Sequence, residues 1–223
     1  MLTVLSPLGV EAFAVRRGLG GDAARVVRTG MGPARSRAAA ERLAAARAET
    51  RGPLAIAGVC GGVAAGLRGG DVVVATALTT LDGGELALAG ADVLAAAVRR
   101  LGLRCTTGAV LSVERLQRNA RAAAVGRDVL AIDMESVWLA AAAGDAQLAV
   151  LRVVADNGGR SIYHPRLLVD GVRALGVLRR AAPALAEWAA VPAGVGLPQP
   201  TADRVRSGGT SLATGSLSPG EVR

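Results

Sequence analysis

The sequence predicts an α/β fold built on a largely parallel sheet. Three observations predict it. Short apolar runs alternate with segments of helical period along the chain. One run, Val72-Val73-Val74, is apolar without a break, as a strand buried on both faces requires. The 223 residues are 51% hydrophobic with only four aromatics, so the core must be Val, Leu, Ala and Gly.

The elements follow in order. Leu2–Leu5 is a short strand stopped by Ser6-Pro7. Gly9–Arg17 reads as a helix, and Arg25–Arg28 as a second strand. Pro33–Ala48 is an Ala-rich helix with Pro33 in the first turn, where its missing N–H is no loss. Leu54–Val59 is an apolar strand between Pro53 and the glycines after Cys60. Asp71–Ala77 carries the valine run. Ala91–Leu101 sets Leu94, Ala97, Val98 and Leu101 on one helical face. Arg104–Leu111 is a further strand, and Leu130–Ile132 leads into a helix at Met134–Ala143. Leu148–Ala155 is a buried strand. Asp170–Trp188 repeats Leu175, Leu178, Ala182 and Leu185, with an interruption expected at Pro183. From Pro192 to Arg223, 17 of 32 residues are Gly, Pro, Ser or Thr without apolar period, which predicts a flexible tail. Residues 1–190 are thus the expected catalytic domain and 191–223 the tail.

Charge and composition narrow the function. The 26 basic residues are all arginine and face 18 acids, for a formal +8. That balance favours anionic partners. The arginines are interleaved with acids and aromatics are scarce, so no nucleic-acid partner is expected. Cys60 and Cys105 stand apart, giving neither a disulfide framework nor a zinc site. The only histidine, His164, argues against a histidine-based metal centre or a Ser-His-Asp triad, and Tyr163-His164-Pro165 reads as loop packing. No metal or organic cofactor is expected. Met1 to Pro7 lacks a secretory signal pattern and no clean apolar span of about 20 residues occurs, which predicts a cytoplasmic protein.

Ligands of such sheets bind beyond the carboxyl ends of the strands. Four segments qualify: Thr29–Gly32, Cys60–Gly62, Asp133–Glu135 and Asp156–Gly159. Gly30 and Gly32 permit a ligand close to the backbone at a helix N-terminus, or simply make a tight turn. Val59, Cys60 and Gly61 offer amides to a polar ring edge, although Cys60 also suits a small buried site. Asp133 and Glu135 are either helix-start carboxylates or acceptors for a sugar diol. Arg152 lies inside an apolar strand and needs a partner. Asp156, four residues on, is expected on the same face, as an ion pair with Arg152 or as a partly desolvated proton donor.

Together these segments resemble the nucleoside phosphorylase and nucleosidase family over residues 1–190. The carriers are VRTGMGP at Val27–Pro33, GVCGGVAAGLRGGDVVVA at Gly58–Ala75, IDMES at Ile132–Ser136 and LRVVAD at Leu151–Asp156. The resemblance implies a three-layer fold with a central mixed, largely parallel sheet flanked by helices. It implies cleavage of the N-glycosidic bond of a purine nucleoside. Asp156 would be the general acid toward the purine, Glu135 the ligand of the ribose hydroxyls and Met134 the contact beside the sugar. Glu11 would activate water, with Gly30 and Gly32 at the nucleophile end. Inorganic phosphate is the alternative nucleophile, with Arg35 and Arg37 beside the glycine loop to hold it. The stacking aromatic of many nucleosidases has no counterpart at Ser112–Leu116, where Leu111, Val113 or Leu116 offers an aliphatic face. LGVE near the start, TGMGP, VCGG and GVRALGVLRRAAPALAEW make the chain most similar to the hopanoid-associated phosphorylases. That implies adenosylhopane as substrate, releasing adenine, with methylthioadenosine or adenosylhomocysteine as soluble alternatives. An inactive nucleoside-binding protein is the reading from another class. A lipid-tailed substrate implies peripheral contact at the inner membrane surface, with Leu167, Leu168 and Val169 as candidates for meeting the tail. The family also implies a homo-oligomer.

Overall fold

The computed structural model describes residues 1–21, 24–46, 52–115, 128–156 and 166–192. Eight strands and five α-helices lie along them. The strands are β1 (Leu2–Ser6), β2 (Ala24–Arg28), β3 (Leu54–Gly62), β4 (Val72–Thr79), β5 (Glu85–Ala87), β6 (Cys105–Ser112), β7 (Val129–Asp133) and β8 (Leu148–Asp156). The helices are α1 (Gly9–Leu19), α2 (Pro33–Ala46), α3 (Ala91–Arg100), α4 (Ser136–Ala140) and α5 (Arg166–Ala189), with a 3₁₀ turn at Ala141–Ala143. Strands and helices alternate, except that β3, β4 and β5, and β6 and β7, are successive among the described elements.

The sheet is mixed and largely parallel. β1 pairs in parallel with both β2 and β3. β3 runs parallel to β8, and its last residues turn to an antiparallel pairing with β7. β8 is antiparallel to β4, β4 parallel to β6, and β6 parallel to β7. β3, β8, β4, β6 and β7 therefore close a five-stranded ring. Closure leaves those strands no open edge. The edge strand β5, which the sequence pattern did not reveal, pairs antiparallel with β4 and is exposed throughout.

Alternation along each strand feeds two cores. Ala55, Ala57, Val72, Val74, Leu151 and Val153 pack with α1, α3 and α5 around Leu94, Leu178 and Trp188. Their neighbours Leu54, Ile56, Val73, Ala75, Val150 and Val154 pack on the other side with α2 and α4. This explains the unbroken apolar runs, because both faces of the strands are covered. The three layers are those the sequence implies.

Three expectations need correction. Cys60–Gly62 is not a loop but the end of β3, held in the sheet by pairing of Gly61 with Ile132 and Gly62 with Ala131. The helix expected from Met134 starts at Ser136, because the Asp133 carboxylate accepts the amides of Glu135 and Ser136 and keeps Met134-Glu135 in a turn. Pro183 does not interrupt α5. It lacks the N–H that would reach Arg179 O, and Gly18 of α1 packs on that carbonyl so closely that a Cβ would fall 2.0 Å from it. Of the expected tail, only Val191 and Pro192 are among the described residues.

Candidate active site

The carboxyl ends of β1, β3, β7 and β8 converge on one buried charged cluster. It is assembled around Arg152, which is fully buried in β8. Nη2 of Arg152 lies 2.8 Å from Asp133 Oδ2 and 4.0 Å from Glu135 Oε2. Nε and Nη2 also donate to Ser136 Oγ at 3.2 and 2.8 Å, and Nη1 to Val59 O at 3.5 Å. A buried arginine needs such partners to offset the cost of its desolvation.

Glu11 enters from the first turn of α1. One carboxylate oxygen accepts Leu8 N–H at 2.7 Å and closes that turn, while the other accepts Val59 N–H at 2.8 Å. The helix start is thereby bound to the end of β3. Gly58 makes the crossing possible, since a Cβ there would lie 2.7 Å from Arg152 Nη1 and 2.8 Å from Glu11 Oε1. Glu135 enters from the turn before α4, accepting Gly32 N–H at 3.0 Å and Met134 N–H at 3.3 Å. Gly30 and Gly32 have φ of +94° and +90°, which explains the choice of glycine in that loop.

Asp133 acts as the support of this arrangement. Its Oδ1 accepts Ser112 Oγ–H at 2.7 Å together with the amides of Glu135 and Ser136. Ser112 Oγ in turn accepts Val137 N–H at 3.0 Å.

Burial dominates the proton chemistry. It raises the Glu11 carboxyl above its usual range, and Arg152 and the amides of Val59 and Leu8 offset it only in part. Glu135 is raised for the same reason, with the Asp133 charge adding to burial against Arg152 and two amides. Burial opposes the charge on Arg152, but Asp133, Glu135 and Glu11 together outweigh it and raise its pKa. The cluster thus offers one fixed cation and two carboxyls able to exchange protons nearer neutrality than free ones. Among the described residues no group of His, Cys, Asp or Glu is suited to hold a metal ion.

The sequence-selected residues fall into place unequally. Glu11, Glu135, Val59, Gly32 and Arg152 are joined by the contacts above. Cys60 is buried beside them and forms no disulfide, and Gly61 is paired between β7 and β8. Met134 packs on the small cluster of Leu111, Val113, Val129 and Ile132. Gly30 donates its N–H to Pro7 O. Asp156 is the last residue of β8, its backbone opposite Gly61, and its side chain lies outside the described part. A register shift between Cys60 and Gly61 breaks the alternation from Arg152 to Asp156, so the shared face expected of them does not follow. Among the described side chains, the close acidic partner of Arg152 is Asp133. Arg37 lies over the Trp138 ring at 5.1 Å and 3.3 Å from Glu114, and Arg35 Nη1 is 3.5 Å from Met31 O. Leu116, Tyr163 and His164 lie outside the described residues, as do the side chains of Leu167, Leu168 and Val169. Sequence reasoning missed Ser112 and Ser136. The lone arginine in an apolar strand was the available signal, but it does not say which strand supplies the partners.

Comparison with known proteins gives the family and the fold. Residues 6–166 match the family model described as the phosphorylase superfamily, and the chain belongs to that superfamily. It is therefore an enzyme of the nucleosidase and phosphorylase class. Similar solved structures include the 5′-methylthioadenosine/S-adenosylhomocysteine nucleosidases of three bacteria. That of Neisseria meningitidis, in complex with methylthio-immucillin-A, has a TM-score of 0.68 at 18% identity, covering 84% of this chain and 97% of that one. That of Streptococcus pneumoniae, in complex with 8-aminoadenine, has 0.65 at 19%, covering 82% and 99%. That of Helicobacter pylori has 0.64 at 16%, covering 84% and 94%. At such identities the likeness establishes the fold. No curated protein matches the chain.

Proposed function

We propose that the protein hydrolyses the N-glycosidic bond of a purine nucleoside and releases the free base. The observation that carries this reading is the union of Glu11 and Glu135 around Arg152 at the strand ends. Breaking C1′–N9 builds positive charge on the sugar and negative charge on the base. Glu135 holds the ribose hydroxyls, and its carboxylate favours the developing cation. Met134 packs beside the sugar. Asp156 gives its proton to the leaving purine, a step worth about 10²–10⁴ in rate. Water adds to C1′ and its proton passes to Glu11.

Water is preferred over phosphate for a physical reason. Gly32 N–H, the amide best placed for an anion, is already donated to Glu135. Arg37 is engaged by Glu114 and Trp138. Three carboxylates share the buried guanidinium, so a phosphate dianion would meet repulsion. The test is product identification with and without phosphate. Free sugar in both conditions supports hydrolysis, and a sugar 1-phosphate formed only with phosphate refutes it.

The substrate proposed from the sequence motifs is adenosylhopane, converted to adenine and a ribosylated hopanoid at the inner membrane surface. The fold neighbours named for methylthioadenosine and adenosylhomocysteine support the soluble alternative. Adenine release from a panel of 5′-substituted adenosines separates the two. Preference for long apolar substituents supports the first, and fast turnover of methylthioadenosine the second. Nucleoside binding without base release from any member would indicate an inactive binding protein.

A further inference from the structure

α1 is apolar on two sides, and a helix covering one face of a sheet needs only one. Ala12, Ala14 and Val15 face the core, whereas Val10 and Phe13 stand out, 56% and 57% exposed. Phe13 is the chain's only phenylalanine. Beside it α5 presents Leu175 and Gly176, and Val172 one turn earlier is 70% exposed. The two helices enclose an open groove of about 560 Å³ between these residues.

Arg17 and Arg179 complete the groove, and no acid lines it among the described residues. Gly18 meets the α5 backbone at Arg179, so both arginines sit at the same end. The Arg17 guanidinium lies over the Phe13 ring, 5.4 Å from its centroid, and both side chains are exposed. The result is an apolar strip on two neighbouring helices with paired cations at one end.

We propose that this face docks the protein on an anionic lipid bilayer. Val10, Phe13 and Val172 enter the boundary of the acyl chains, and Arg17 and Arg179 lie at the level of the lipid phosphates. The pairing of chemistries selects this partner. A nucleic acid supplies phosphates but nothing for the apolar strip. A second copy of the same face brings two more arginines and no acid to meet them. The inference stands on the groove and does not need a lipid-tailed substrate, although Val10 and Glu11 are consecutive residues of α1, which would bring the site close to the lipid.

The experiment is sedimentation of the full chain with vesicles of phosphatidylcholine alone or enriched in phosphatidylglycerol, at low and high salt and without nucleoside. Wild-type protein is expected to pellet with the anionic vesicles at low salt, and to stay in solution with neutral vesicles or at high salt. Arg17→Glu and Arg179→Glu should each lower the partition coefficient at least about fivefold. Phe13→Ser should lower it at unchanged charge. All three positions are exposed, so circular dichroism and adenine release in solution should match wild type. Absence of wild-type pelleting, equal binding to neutral vesicles, or full binding by Phe13→Ser would overturn the proposal. So would a dimer in sedimentation velocity that Phe13→Ser dissociates, since a second copy would then cover the face. Absence of adenine release by the wild-type protein, with vesicle binding as expected, would refute the nucleosidase reading and leave the docking face standing.

Discussion

Replacing Ser112 by Ala tests how Glu135 is held. Ser112 is buried at the end of β6 and touches neither Glu11 nor Glu135 through any hydrogen bond described above. Its hydroxyl donates to Asp133 at 2.7 Å and accepts Val137 N–H at 3.0 Å. Val137 is the second residue of α4, so its N–H is one of the donors that a helix start leaves without a partner. Alanine strands that donor, at a cost of about 1–3 kcal/mol if water cannot reach it. It also removes one donor from the Asp133 carboxylate, worth about 1.5 kcal/mol or more because the acceptor is charged. Two amides and Arg152 remain on Asp133, so the losses should not add fully. The expected total is about 2–3 kcal/mol. Urea unfolding should show a lower midpoint with an unchanged slope. Ser112→Thr, which keeps the hydroxyl, should recover most of the loss if its methyl is accommodated. If Glu135 holds the ribose hydroxyls as proposed, base release should fall more for a ribonucleoside than for its 2′-deoxy analogue. A stability change below about 0.5 kcal/mol, within the range of ordinary surface substitutions, would refute the support role.

Other perturbations separate packing from chemistry. Gly18→Ala places a Cβ 2.0 Å from a backbone oxygen and should cost about 1–3 kcal/mol or more in thermal unfolding. Gly176→Ala, also in a helix but facing open space, should instead stabilise by about 0.5–1 kcal/mol. Because burial raises the folded-state pKa of Glu11, its ionisation penalty is absent well below the unfolded value near 4.5 and grows as pH rises through the folded value. Glu11→Gln should therefore gain stability relative to wild type from pH 4 to 8 while losing hydrolysis, and a shift of the opposite sign in paired melts would show that burial does not govern this carboxyl. Asp156→Asn should slow base release by about 10²–10⁴, or roughly 3–5 kcal/mol of barrier, with an unchanged circular dichroism spectrum. Wild-type turnover by that variant would remove Asp156 from the acid role.

The sequence by itself determined the layering. Strands such as Val72-Val73-Val74 and Leu148–Ala155 are apolar at every or nearly every position, and only a sheet covered on both faces accommodates them. It also singled out Glu11, Glu135 and Gly32, which the fold brings together near Arg152, because the local motifs around them are contiguous. What it did not contain was the partner of Arg152. Strand order decides that, and it places β7 and β8 on β3 from positions about 20 residues apart in the chain. Ring closure was hidden for the same reason, since periodicity reports which faces are buried and not which edges meet. The register shift at Cys60/Gly61 was also invisible, because a bulge changes pairing without changing the apolar pattern. Ser112 became part of the site only when β6 and β7 paired and brought Ser112 opposite Asp133. Local sequence set each element and its buried faces, and non-local pairing set which charges share one low-dielectric space.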